Sequence, residues 1–109
     1  MNQSLEVLEN QYFFLRGSLS VLAAHGATPE ELDLLRTQIV RSRTNYWTTI
    51  NKILHDDDPE VQDLISQLNK EQLTLTADLD RLEDIVVTLD LITRVVNLGS
   101  RIASKAISL

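Results

Sequence analysis

PEVQDLISQLNKEQLTLTADLDRLEDIVVTLDLITRVVNLGSRIASKAI, residues 59–107, is the stretch that decides how this chain is read. Val61, Leu68, Leu75, Leu82, Leu89, Val96 and Ala103 recur every seven residues. The companion half-heptad positions are Ile65, Gln72, Leu79, Val86, Thr93, Ser100 and Ile107. An apolar seven-residue repeat of this kind is the signature of a helix that buries one continuous seam. Pro59 opens the stretch, no proline follows it, and the next glycine is Gly99. The spacing therefore predicts one helix over 59–107, roughly 70 Å long at 1.5 Å per residue.

Working back toward the N-terminus, Asp58 before Pro59 reads as a capped helix start. Thr28-Pro29-Glu30-Glu31 reads as another, with Glu31 three residues after the cap to close a capping box. Between these starts, Leu32, Leu35, Ile39, Tyr46, Ile50 and Ile53 mark the main face of a helix over about 29–55, with Val40, Trp47 and Leu54 beside it. The breadth of that face suggests contact with more than one neighbour, and the aromatic pair Tyr46-Trp47 reads as core. A first helix over about 2–25 presents Leu5, Leu8, Tyr12, Leu15, Leu19 and Leu22 at alternating spacings of three and four. Gly26 supplies its stop.

The expected fold is thus all-α: an antiparallel bundle of three helices whose C-terminal helix is very long, in a single domain over 1–109. Helices of about 2–25 and 29–55 cannot cover a 59–107 helix end to end. The alternative is a four-helix up-down bundle in which the stretch breaks near 73–77, with Thr76 as the new cap. The apolar ending Ala106-Ile107-Ser108-Leu109 fits a domain of a longer chain.

Composition narrows the function classes. The 109-residue chain has no cysteine, so disulfides and thiolate metal sites are excluded and a reducing, cytoplasmic setting is expected. No charge-free 18-residue stretch and no leader-like N-terminus occur, so no ordinary membrane span is expected. Net charge is −6. It is distributed as −3 over residues 1–58, −5 over 59–84 and +2 over 85–109. So acidic a chain is a poor match for a phosphate backbone, and nucleic acid is not an expected partner.

Chemistry-bearing patterns are sparse. His55-Asp56-Asp57-Asp58 carries ligand-type side chains, but four consecutive residues at a helix end point in different directions, and helix capping explains them better. Asp78, Asp80, Glu83 and Asp84 flank the seam rather than replace it, and no Glu-x-x-His accompanies them, so a dimetal bundle site is not expected. No Gly-x-Ser-x-Gly elbow or phosphate-binding glycine loop occurs. The sequence points to no enzyme, metal or cofactor.

What remains is residues 85–109, apolar beyond the seam and small at Gly99, Ser100, Ala103, Ser104 and Ala106. A helix apolar nearly all round must be buried or membrane-contacting. The expected function is a non-enzymatic helical-bundle interaction protein that self-associates, most simply as a dimer, or docks on a protein partner. The expected contact residues are Leu82, Val86, Leu89, Ile92, Val95, Val96, Leu98, Gly99, Ile102, Ala103 and Ala106. The alternative is a membrane-active bundle, of a toxin or cell-death kind, that exposes 85–109 with Arg94, Arg101 and Lys105 toward anionic headgroups.

Overall fold

The computed structural model describes residues 3–108 and is all-helical. Its elements are α1 (Gln3–Ala24), α2 (Pro29–Thr49), α3 (Pro59–Asp80) and α4 (Ile85–Ser108). Each helix starts on a side-chain oxygen. Thr28 Oγ1 accepts from Glu31 N at 3.1 Å and the Glu31 carboxylate accepts from Thr28 N, completing the capping box. Asp58 Oδ1 accepts from Glu60 N and Val61 N, and Asp84 Oδ1 from Val86 N and Val87 N. The start of α1 borrows its acceptor from elsewhere, since Ser4 N donates to Asp56 Oδ1 at 3.3 Å. Caps of this type each contribute about 1 kcal/mol.

The expectation of three helices is corrected by this architecture. Residues 59–107 are two helices, and the break falls at 81–84 rather than near 73–77. Helix α3 runs unbroken through Thr76, whose hydroxyl donates to Gln72 O instead of capping anything. The turn needs neither glycine nor proline, because Asp84 captures the open amides of α4 and the buried Thr88 hydroxyl donates to the Asp78 carboxylate across the hairpin. Doubling back covers the broad apolar face of α4 within one chain, which a straight 70 Å rod cannot do. Leu82 sits half-buried inside the turn, so the seven-residue count passes through it without a miss.

Helix α2 also stops earlier than the predicted His55, at Thr49. Thr44, Thr48 and Thr49 turn their hydroxyls back onto carbonyls three or four residues earlier, a habit that weakens a helix end. The chain then crosses the end of the bundle, and His55 N donates to Ala106 O at 3.0 Å, closing the last turn of α4.

The helices alternate in direction, but they are not arranged in chain order. Helix α2 packs on α1 and α4, and α3 packs on α4 and α1. The ring therefore reads α1–α2–α4–α3, and the 50–58 connection spans a diagonal. The other diagonal is short, since α1 and α4 also touch. Gly99 permits that approach: a Cβ there would lie 2.6 Å from Gln11 Oε1. The bundle measures 42 × 22 × 18 Å.

Two apolar layers fill it. One end gathers Leu8, Val61, Leu64, Ile65, Leu68, Ile102 and Ala106, and the other Leu15, Leu22, Leu35, Leu75, Ile92, Val95 and Val96. Between them lies a polar waist. Gln11 Nε2 donates to Val95 O at 2.7 Å, while Arg41 and Asn45 of α2 reach Asn97 and Ser100 of α4.

Helix α1 is rotated from its expected orientation. Its innermost stripe is Ser4, Leu8, Gln11, Leu15, Ser18 and Leu22, while Leu5, Tyr12 and Leu19 are only half-buried.

Candidate docking surface

The residues expected to meet a partner line the inside of the bundle instead. Leu89, Ile92, Val95, Val96, Leu98, Gly99, Ile102, Ala103 and Ala106 are buried, Leu82 is half-buried, and only Val86 is exposed. The cover that α4 demands comes from α2 and α3 on its flanks and from α1 across the diagonal. No helix among the described residues is long and apolar enough to cross a membrane.

Open apolar surface is scattered over all four helices, Phe13, Leu73, Val86 and Val87 among it, with one group on α2 and the connection that follows it. Val40, Trp47, Ile50 and Ile53 are exposed, Trp47 by 58% and Ile53 by 88%. The helical positions among them, with Arg36 and Arg43, follow a 36-40-43-47-50 register at spacings of four and three. That register is one continuous stripe on the side away from the buried Leu35, Ser42 and Thr49. The Arg43 guanidinium lies 5.0 Å from the centre of the Trp47 ring, a cation–π pair that holds the indole against the helix. Trp47 and Ile50 were expected to face inward. The early stop of α2 and its diagonal exit leave them without a neighbouring helix.

Charge runs along the same helix. Its first turns carry Glu30, Glu31 and Asp33, and its far end carries Arg43, followed by Lys52. Arg36 pairs with Asp33 at 2.9 Å, both well exposed, so this pair contributes little. Arg41 is engaged with Gln38 and α4.

Beside the stripe, Tyr46 stacks on Tyr12 and donates its hydroxyl to Glu9 Oε2 at 2.7 Å. That bond, with some burial and the carboxylate's charge, raises the phenol's pKa above the usual 10.0. Lys105 is held above 10.5, first by its hydrogen bond to Glu60 and then by that residue's charge.

Half of the titratable residues singled out in the sequence take structural roles. Asp56 and Asp58 cap helices, Asp78 receives Thr88 and Asp84 caps α4. Among the described residues no three His, Asp or Glu side chains gather as a metal site. Comparison with protein-family models, curated proteins and solved structures finds no significant match to this chain.

Proposed function

We propose that this protein is a cytoplasmic, non-enzymatic interaction module that pairs with a second copy of itself through the outer face of α2. The observation that carries this reading is the exposed Val40-Trp47-Ile50 stripe with Arg43 stacked on Trp47. Tryptophan and arginine dominate binding hot spots, and an indole already held in place loses little freedom on docking. A two-fold pairing of antiparallel α2 helices sets the acidic start of one, Glu30 and Asp33, beside the basic end of the other, Arg43 and Lys52. A surface with that polarity is complementary to itself, as a closed dimer requires. Docking through α4 would instead require opening both apolar layers. The membrane alternative, which exposes 85–109, is less well supported, because presenting that segment would take the buried face of α4 out of both apolar layers.

The test uses the chain's only tryptophan as its own reporter. Sedimentation equilibrium at micromolar concentrations should show a dimer, with Trp47 emission shifting to the blue as concentration rises. Trp47→Asp should yield a monomer of unchanged helix content. A wild-type chain that stays monomeric at about 100 µM, a concentration that detects even weak pairing, would overturn the proposal.

A further inference from the structure

The turn between α3 and α4 contains nothing that a helix excludes. Its residues are Arg81, Leu82, Glu83 and Asp84, of which the first three are good helix formers. No non-glycine residue among the described ones has a positive φ, so the reversal rests on no left-handed backbone. Side chains make it instead, through the Asp84 cap and the Thr88 bond to Asp78. The apolar seam passes through the turn in phase, with Leu75, Leu79, Leu82, Val86 and Leu89 at spacings of four and three. Folding back covers that seam unevenly. Leu75 and Leu89 are buried, Leu79 and Leu82 are half-buried, and Val86 is 59% exposed.

The contacts between α3 and α4 fix the register of any rearrangement. Glu71 pairs with Arg94 at 3.5 Å and Glu60 with Lys105 at 3.0 Å. Both pairs are symmetric about the point between residues 82 and 83, the middle of the turn. If 81–84 became helical, α3 and α4 would join into one rod. Two such rods, antiparallel about a two-fold axis at that point, bring α3 of each copy against α4 of the other in the same register. Glu71 then meets Arg94 of the second copy, and Glu60 its Lys105. New contacts are confined to the crossing. There the register sets the exposed Val86 level with Leu79 of the second copy, and the two Leu82 side chains meet near the axis.

We propose that the 81–84 turn is a hinge through which two copies of this chain exchange their α4 helices. The occupant is a second copy because α4 already fits its slot, and exchange rebuilds both apolar layers and the Gln11 bond to Val95. The two forms share one interior, so the turn and the protein concentration decide between them. Opening gives up the Asp84 cap and gains helical hydrogen bonds and cover for Val86. Helix α4 must leave both layers to change places, so exchange happens during folding and is then held. It does not rest on pairing through α2, whose outer stripe stays open in both forms.

The test uses Trp47→Asp chains, which lack the α2 stripe's anchor. They are unfolded in urea and refolded at roughly 1 µM or roughly 500 µM, on either side of weak pairing. The dilute arm should return monomer. The concentrated arm should return a dimer of at least equal helix content that persists on dilution. Glu71→Cys with Arg94→Cys adds a cross-linking pair to a chain that has no cysteine. A short bismaleimide should link the two sites within one chain in the dilute arm and between chains in the concentrated arm. Asp84→Ala removes two caps per dimer from the closed form and should raise dimer association about thirtyfold. Val86→Asp leaves the closed chain unchanged, because the side chain is exposed there, and should weaken the dimer about tenfold or more. Monomer alone from the concentrated arm would overturn the proposal. So would a dimer cross-linked only within chains, or one whose yield ignores both substitutions. Wild-type chains that were never unfolded report on α2 pairing separately, so either reading can fail without the other.

Discussion

The α3–α4 hairpin and the α1–α2 hairpin build one interior from different materials. Helix α3 brings Val61, Leu64, Ile65, Leu68 and Leu75 to the centre, and α4 brings an almost wholly aliphatic face with Thr88 at its start. Helix α1 instead alternates leucine with Ser4, Gln11 and Ser18, and the buried centre of α2 is Leu35, Ser42 and Thr49. The difference separates what drives folding from what fixes its geometry. Hydrophobic burial is concentrated in the C-terminal hairpin. The hydroxyls of Ser18, Ser42 and Thr49 bond to carbonyls of their own helices three residues back, so they enter the interior without needing a partner across it. Gln11 alone among the buried polar residues of α1 and α2 bonds through its side chain to another helix, and it does so where Gly99 leaves room.

The largest effect that sharpens this contrast is a matched pair of truncations. Ile92→Ala, in the fully buried α4 face, should lower unfolding free energy by about 2–5 kcal/mol in urea titration. Ser18→Ala, equally central but locally satisfied, should change it by no more than about 1 kcal/mol. Similar losses at the two positions would erase the distinction between the hairpins.

Next comes the contact between them. Gly99→Ala gains about 1 kcal/mol of helix propensity but drives a methyl into the Gln11 amide and breaks its bond to Val95. The lost bond and the stranded amide outweigh the gain, so the variant should be destabilised by about 1 kcal/mol. In a Gln11→Ala background the same change should stabilise by about that amount. A double-mutant cycle reads this reversal of sign, and additivity would show that Gln11 does not set the α1–α4 approach.

Smaller still is the turn that makes two helices of 59–107. Asp84→Ala should cost about 1 kcal/mol, no more than the removal of any other N-cap, because the hairpin is held chiefly by apolar burial. A loss several times larger would place the decision to fold back in the cap instead.

The weakest test is alkaline. Tyr46 and Lys105 both hold their protons more tightly folded than unfolded, because each donates a hydrogen bond to a carboxylate. Their contribution is therefore fully present below the unfolded values of 10.0 and 10.5 and is lost as pH rises through the higher folded ones. Urea midpoints should decline above about pH 10. Tyr46→Phe should flatten the tyrosine part of that decline, whereas an unchanged profile would show that the Glu9 bond does not form in solution.

Much of this was legible in residue order. Thr28-Pro29 and Asp58-Pro59 mark helix starts because the cap and the fixed proline angle act locally. The apolar stripes announced helices because burial follows the helical period. The exposed α2 stripe was present as a spacing, Val40, Trp47 and Ile50, but whether those side chains meet another helix depends on where the chain goes after Thr49. A cavity between α1 and α3 left no signal in residue order, since Gln11 and Gln72 are sixty-one positions apart and only packing brings them to one cavity.

The seven-residue repeat from Val61 to Ala103 shows where residue order alone stops. By itself the sequence determined that this stretch is helical and that its C-terminal half needs cover on nearly every side, because side-chain polarity and local backbone preference are properties of the chain. Only the tertiary structure decided that the cover comes from the chain itself, through a turn at 81–84. A repeat records which side chains must leave water. It does not record which surface receives them, and a four-residue turn that half-buries its own leucine leaves the count intact.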